Sequence, residues 1–148
     1  MYRANNGVRL GYSRFNGGAI EVHRILGPGL LESAYHDCLA YELAELNLKF
    51  DVEPFVAINY KKLYLARAFR LDLIVENAVI VELKSVEKIL SVHEAQTLTY
   101  LKLTGLKRGL ILNFNVALMK NGIRRLNLSR PSPFSPSSPV NNPKEQRD

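Results

Sequence analysis

The chain has 148 residues, of which 47% are hydrophobic, with one cysteine, no tryptophan and a formal net charge of +6. This length suits a single globular domain built around one core. The lone Cys38 excludes an internal disulfide and any zinc site that needs several cysteines, and its helical surroundings predict a packing residue.

The positive charge is concentrated in the second half of the sequence. Residues 1–53 contain five basic and seven acidic side chains, whereas residues 54–148 contain fifteen and seven. Residues 101–130 include seven Lys or Arg and no Asp or Glu. Such a stretch suits a polyanion such as nucleic acid, and a solvated basic face explains it equally well.

The periodicity of apolar residues predicts helices and strands in a mixed order. Residues 19–26 form a short helix that Gly27-Pro28-Gly29 ends, and residues 30–46 form an amphipathic helix. Residues 50–60 read as one strand with Pro54 at an edge or bulge. The segments that follow are a hairpin of residues 68–75 and 79–86, a helix over 91–104, a strand over 109–114 and a last strand over 123–128.

Composition divides the chain into three parts. Residues 1–16 are predicted to be an N-terminal extension, 17–128 the folded domain, and 129–148 a disordered tail that holds five of the seven prolines. The first residues lack the apolar core of a signal peptide, and no segment has the roughly 18 apolar residues of a membrane span. We therefore expect a cytoplasmic protein without a membrane partner.

Three charged residues interrupt the apolar hairpin. Strand alternation places Glu82 and Lys84 on one face, and Asp72 joins them if paired positions add up to 154. That register requires a three-residue loop, 76–78, with Asn77 or Ala78 in a left-handed conformation. A two-residue loop would separate the two carboxylates onto opposite faces of the sheet.

Charges on such strands are costly to bury unless they are paired or bind a metal. Carboxylate oxygens favour Mg²⁺ or Mn²⁺, which retain water and engage phosphate. The alternative is an ion pair of Lys84 with Asp72 or Glu82 on a solvated face. Spacing alone does not decide between the two.

The order of these residues resembles a known family. Asp72, followed ten residues later by Glu82-Leu83-Lys84, resembles the signature of the PD-(D/E)XK nuclease superfamily. Residues 29–35, GLLESAY, are similar to the G-x-x-E-x-x-Y motif of the small bacterial GxxExxY proteins within it. The resemblance covers residues 19–128 and includes the segments AIEVHRILGPGLLE, RLDLIV, VIVELKSVE, HEAQTLTYLKLTG and GLILNFNV.

The resemblance implies an α/β fold of the restriction-endonuclease type, with a central mixed sheet of about four to five strands flanked by helices. It implies a metal-dependent nuclease that uses Mg²⁺ or Mn²⁺ and acts on nucleic acid, with DNA favoured over RNA. Asp72, Glu82 and the backbone carbonyl of Leu83 would bind the metal, with Glu32 as an extra acid. Lys84 would position the attacking water, and Gln96 would contact the active site or the substrate.

Several of the candidate site residues also have a purely structural interpretation. Glu32 could be an exposed first-turn acid favoured by the helix dipole. His93 is better explained as a helix-start residue than as a ligand, because a single His offers no ligand spacing. Candidate phosphate contacts are basic residues that surface solvation explains equally well: Lys102, Lys107, Arg108, Arg124 and Arg125. No regularly spaced aromatic pair indicates a platform for stacking bases.

Two functions from different classes are therefore open. The first is hydrolysis of phosphodiester bonds by Asp72, Glu82 and Lys84. The second is a catalytically inert module that keeps the fold and binds nucleic acid or protein. A folded unit of this small size suggests a homodimer, or another protein, as an aid in holding a long substrate.

Overall fold

The computed structural model describes the backbone of residues 3–128 and the side chains of residues 12–128. The predicted disordered tail, residues 129–148, lies outside the described residues. The first two elements are the helices α1 (Arg3–Leu26) and α2 (Glu32–Glu45). Strands β1 (Phe50–Val52), β2 (Phe55–Tyr60), β3 (Leu63–Arg70), β4 (Leu73–Val75) and β5 (Val79–Lys84) follow. The last elements are α3 (Ser91–Thr104), β6 (Arg108–Asn113), a 3-10 helix (Met119–Gly122) and β7 (Ile123–Asn127).

The first helix is longer than the sequence predicts. It begins at Arg3 rather than near residue 19, although Asn and Gly lower the intrinsic helix propensity of this segment. Packing outweighs propensity here, because Phe15, Ala19 and Val22 lie on one side of the helix and are buried in the core. Gly27, with a φ of +70°, follows the last helical residue, as predicted.

Two segments that read as single strands are each broken in two. Residues 50–60 divide at Glu53-Pro54 into β1 and β2, and the predicted strand 68–75 divides at Leu71-Asp72 into β3 and β4. Glu53 has a φ of 51° and Pro54 has no N–H, so neither can continue a regular ladder. The breaks face each other, since the Glu53 N–H donates to the Asp72 carbonyl and the Leu71 N–H to the Pro54 carbonyl.

The breaks divide the strands between two sheets. A five-stranded sheet has the order β1-β4-β5-β6-β7, and β2 and β3 form a separate two-stranded hairpin. Only the β5–β6 pair of the larger sheet is parallel. The mixed α/β architecture agrees with the predicted fold class.

The five-stranded sheet carries a different core on each face. One face packs with α1 and α2 and includes Tyr35, Leu39, Val81 and Leu112. The other face packs with α3 and the base of the β2–β3 hairpin through a smaller cluster of Val56, Leu71, Ile80 and Leu101. Within residues 3–128, no helix is both long and apolar enough to cross a membrane.

The turn between β4 and β5 has the predicted length. Residues 76–78 connect the strands, and the pairs confirm the predicted register: Leu73 with Val81, Ile74 with Ile80, and Val75 with Val79. Asn77, one of the two residues predicted to be left-handed, has a φ of 52°, and Glu76, with a φ of 54°, is left-handed as well, which was not predicted. Two bonds with the main chain of Lys49 hold Glu76 in this conformation.

Gly122 is a point of close contact between the 3-10 helix and the end of β6. A Cβ atom there would lie 2.0 Å from the main-chain oxygen of Asn113. We expect Gly122→Ala to lower the free energy of unfolding by about 2 kcal/mol or more, because backbone would have to move. Gly17→Ala is the control, since nothing lies within 4 Å of its Cβ position on helix α1. There we expect a gain of about 0.5 to 1 kcal/mol. Urea unfolding measures both, and a Gly122→Ala protein as stable as wild type would contradict the contact.

Candidate active site

Asp72 and Glu82 lie next to each other at the point where β3 breaks from β4. Here side-chain bonds take the place of the strand ladder. The Leu83 N–H donates to Asp72 Oδ2 at 2.8 Å, and the Asp72 N–H points to Glu82 Oε1 at 3.5 Å. The two carboxyl groups also interact with each other, and this interaction raises the pKa of Glu82. The juxtaposition predicted from the register is therefore present.

The Glu82 side chain is buried on the α3 face of the sheet, two residues from Ile80 of the smaller core cluster. Only 9% of the residue is exposed. Burial, followed by the charge of Asp72, raises the pKa of the Glu82 carboxyl from 4.5 to about 8. The folded protein thus holds a carboxyl group that resists ionisation unless a cation compensates its charge.

Lys84 lies two residues beyond Glu82 on the same strand face and is half-buried. Its positive charge opposes the rise in the Glu82 pKa, which places its ammonium within electrostatic reach of that carboxylate. In the described part of the chain, the ion pairs within 4.0 Å are formed by other residues. Because Glu82 is buried, the alternative of an ion pair on a solvated face does not describe this site.

Helix α3 covers the carboxylate pair with Tyr100. Burial first, and then the charge of Glu82, raise the pKa of the Tyr100 hydroxyl, and Asp72 adds to the effect. The Tyr100 side chain bonds to Gln96, one turn earlier on the helix. Its ring stacks on Phe69 of β3 with centroids 4.5 Å apart. Gln96 is thus brought to the edge of the site through Tyr100.

The first turn of α2 borders the same site from the other side. His36 Nε2 lies 3.1 Å from the main-chain oxygen of Asp72, so this helix contacts the backbone of Asp72. Glu32 is one turn earlier and shares that side of the helix. The structure leaves Glu32 exposed, and it records no contact between its carboxylate and Asp72 or Glu82.

The glycine corner before α2 is fastened to the end of β5. The Tyr35 hydroxyl donates to the Gly27 carbonyl at 2.6 Å and accepts from the Leu30 N–H at 3.1 Å. The Ser85 hydroxyl, just after Lys84, donates to the Leu30 carbonyl at 2.6 Å. Tyr35 therefore holds the corner, and its hydroxyl bonds to backbone groups.

Asn113 positions the chain after Lys84. This residue is 2% exposed, and its side-chain amide bonds to both the N–H and the carbonyl of Val86. The Phe114 N–H donates to the Lys84 carbonyl at 3.0 Å. The carboxyl end of β5 is therefore fixed by backbone and amide bonds from β6.

Comparison with known families decides the assignment. A model of the PD-(D/E)XK nuclease superfamily matches residues 12–126, most of the chain. The chain belongs to this superfamily. Comparisons with curated proteins and with solved structures each returned no match. The narrower resemblance to the GxxExxY proteins stays a prediction.

The PD-(D/E)XK assignment raises the question of whether these residues fit a divalent cation. Within residues 3–128, no group of three or more His, Cys, Asp or Glu side chains could hold a metal ion. Mg²⁺ needs fewer protein ligands than that, because it is commonly bound by one or two carboxylates and keeps several waters. The Asp72–Glu82 pair has this chemistry, and its uncompensated charge is what a cation would neutralise.

The basic residues predicted as phosphate contacts are not gathered around this pair. Arg108 and Arg125 lie on the α1 face, where both guanidinium groups lie within 6 Å of the Tyr12 ring centroid. Arg124 lies on the α3 face and is bonded to Glu94. The remaining two, Lys102 and Lys107, are exposed near the end of α3. Contact with nucleic acid stays a prediction for all five.

Sequence reasoning did not single out three residues that contact the site. Tyr100 and His36 carried a usable signal, because each follows a candidate residue, Gln96 or Glu32, by one helical turn. Asn113 carried no such signal, since only the parallel β5–β6 pairing brings it beside the chain after Lys84. His93 is a helix-start residue as predicted, with Nδ1 accepting from the Leu90 N–H at 3.0 Å.

The raised pKa of Glu82 predicts how stability changes with pH in the absence of metal. The unfolded chain releases this proton near pH 4.5, whereas the folded protein keeps it until about pH 8. Stability should therefore fall as the pH rises between these values, by about 1.4 kcal/mol for each unit of pKa difference. We expect Glu82→Gln to remove this loss, so that the variant is more stable than wild type at about pH 8.5.

Urea unfolding in EDTA at about pH 5 and about pH 8.5 measures this difference. Glu45→Gln is the control, because Glu45 is an exposed carboxylate at the end of α2 and should leave the pH dependence unchanged. A Glu82→Gln protein with the same loss of stability as wild type would show that folding does not raise the pKa of Glu82.

Proposed function

We propose that this protein is a metal-dependent nuclease that hydrolyses phosphodiester bonds in nucleic acid, with DNA favoured over RNA. The observation that carries the proposal is the contact of a partly buried Asp72 with a buried Glu82, with Lys84 two residues beyond Glu82 on the same strand face. Membership in the PD-(D/E)XK nuclease superfamily supports it. The GLLESAY segment further suggests the bacterial GxxExxY group.

In this proposal Asp72 and Glu82 hold Mg²⁺ or Mn²⁺, with the Leu83 carbonyl as a further ligand. A bound divalent cation would supply a water of lowered pKa and neutralise negative charge that develops on the phosphate. The bond from the Leu83 N–H orients the Asp72 carboxylate, so this ligand is placed before any substrate arrives. Burial of Glu82 disfavours its ionised form, and a bound cation would restore that form at neutral pH.

Lys84 is the catalytic residue that contributes positive charge. Its ammonium lies near Glu82 without a close ion pair, so it can stabilise charge on the phosphoryl group and position the attacking water. Glu32 is proposed as an additional acid at the rim, because it shares a helix side with His36, which contacts Asp72. Gln96 is proposed to contact substrate, since it is exposed and bonded to Tyr100.

Nuclease assays test the catalytic assignment. The purified protein is incubated with single-stranded, duplex and branched DNA and with RNA, in Mg²⁺ or Mn²⁺. We expect Glu82→Ala and Lys84→Ala each to lower the cleavage rate about 100-fold or more, because each removes charge stabilisation at the reacting phosphate. Lys88→Ala is the matched control. Lys88 is an exposed lysine four residues further along the chain, and this variant should cleave like wild type. Cleavage that survives both site substitutions contradicts the assignment.

Metal titration separates the nuclease from an inert module that keeps the same fold. We expect wild-type protein to bind Mn²⁺ in calorimetry, and Asp72→Asn to weaken binding at least about tenfold because one anionic ligand is lost. Glu45→Gln is the control, because Glu45 is an exposed carboxylate at the end of α2. Absence of binding, or binding indifferent to Asp72→Asn, would favour a non-catalytic module that binds nucleic acid or protein.

A further inference from the structure

The β2–β3 hairpin extends away from the rest of the fold. It forms its own two-stranded sheet, and residues 59–67, which include both of its turn residues, are all exposed. The exposed side chains include large apolar and aromatic groups, namely Tyr60, Leu63, Tyr64 and Leu65. A contiguous group of exposed apolar and aromatic side chains commonly marks a surface that a ligand covers.

The charge of the hairpin indicates what that ligand is. Residues 55–70 contain four basic side chains and no acidic one: Lys61, Lys62, Arg67 and Arg70. Lys61 lies over the Tyr60 ring, and Arg67 lies over the Phe55 ring at 4.7 Å from its centroid. Arg70 is paired with Glu53 at 3.5 Å. A second copy of this basic surface would be repelled, whereas a polyanion would be attracted.

Two exposed tyrosines lie at the end of the hairpin, on opposite faces of its two strands. The register pairs Tyr60 with Leu63 and Asn59 with Tyr64, so both tyrosines lie at the end of the hairpin beside Lys61 and Lys62. No platform for stacking bases was predicted, because the turn at Lys61 and Lys62 separates Tyr60 from Tyr64. Exposed rings beside cations are the combination that binds unstacked bases and their phosphates.

The base of the hairpin reaches the carboxylate pair. Arg70 ends β3 two residues before Asp72, and Phe69 stacks on Tyr100, which covers Glu82. Val56 of β2 is buried in the same cluster as Leu101 of α3. A strand held along the hairpin would therefore lead to the candidate active site.

We propose that the β2–β3 hairpin is a binding arm for single-stranded nucleic acid, with Tyr60 and Tyr64 stacking on bases and Lys61 and Lys62 contacting phosphates. This inference rests on the proposed nuclease function and specifies how the substrate is gripped. It places the main nucleic-acid contacts on a segment outside the basic stretch of residues 101–130.

Binding is measured by fluorescence anisotropy with a labelled single-stranded DNA of about 20 nucleotides, in EDTA so that no cleavage occurs. We expect the double variant Tyr60→Ala, Tyr64→Ala to raise the Kd about fivefold or more, and to change the Kd for a blunt duplex of the same sequence by less than about twofold. Tyr41→Ala is the matched control, because Tyr41 is an exposed tyrosine on α2, and should bind like wild type. Circular dichroism melting checks that each variant is folded.

A salt titration tests the two lysines separately. We expect the double variant Lys61→Ala, Lys62→Ala to reduce the dependence of log Kd on log salt by about 1.4, which corresponds to two phosphate contacts on a single strand. The control is Lys49→Ala, Lys120→Ala, two exposed lysines outside the hairpin. It should leave this slope unchanged.

Three outcomes would overturn the binding arm. In the first, the double tyrosine variant binds single-stranded DNA like wild type. In the second, it loses no more affinity than Tyr41→Ala. In the third, its sedimentation coefficient changes while its DNA binding does not, which would indicate a protein interface. Failure of the nuclease proposal is separate, because it appears as absent cleavage in Mg²⁺ while the binding measurements in EDTA still respond to the hairpin substitutions.

Discussion

The fold depends on two strand interruptions that face each other, one at Glu53-Pro54 and one at Leu71-Asp72. Two reciprocal backbone hydrogen bonds join these interruptions. Both segments therefore pass from the five-stranded sheet to the β2–β3 hairpin at the same level. Without a regular ladder at Asp72, its carboxylate can accept from the Leu83 N–H and lie against Glu82. The same interruption releases β2 and β3 as a separate hairpin. The acid pair and the exposed arm are thus two results of one irregularity in strand pairing.

The electrostatics of the site follow from where this irregularity lies. Asp72 and Glu82 are on the face that α3 covers, where Tyr100 and the apolar cluster limit access to water. In such surroundings a carboxylate pair is unfavourable by itself, and Lys84 offsets only part of its charge. Structural rigidity at the end of β5, provided by Asn113, Tyr35 and Ser85, keeps the charges in place rather than letting them separate.

Sequence patterns predicted the local features that depend on spacing. The three-residue turn, the register of β4 with β5 and the common face of Asp72 and Glu82 follow from alternation and turn geometry, and the structure confirms them. The strand breaks were not predicted, because continuous apolar runs do not reveal which sheet each half joins. The predicted start of α1 was also wrong, because the Asn and Gly residues of this segment have low helix propensity. Burial of Phe15 and Ala19 in the core, which the sequence does not reveal, explains the longer helix. Contacts from separate elements, such as His36 on Asp72, require the tertiary fold.

The two edges of the five-stranded sheet also limit how copies of the protein can associate. On one side β1 has only three residues and ends next to Pro54, and on the other β7 presents Arg124 and Arg125. Short and charged edge strands disfavour the addition of a further strand from a neighbouring molecule. The sheet is therefore protected from edge-to-edge growth and from the aggregation that accompanies it. A dimer that holds a long substrate is therefore expected to form through a surface other than these two edges.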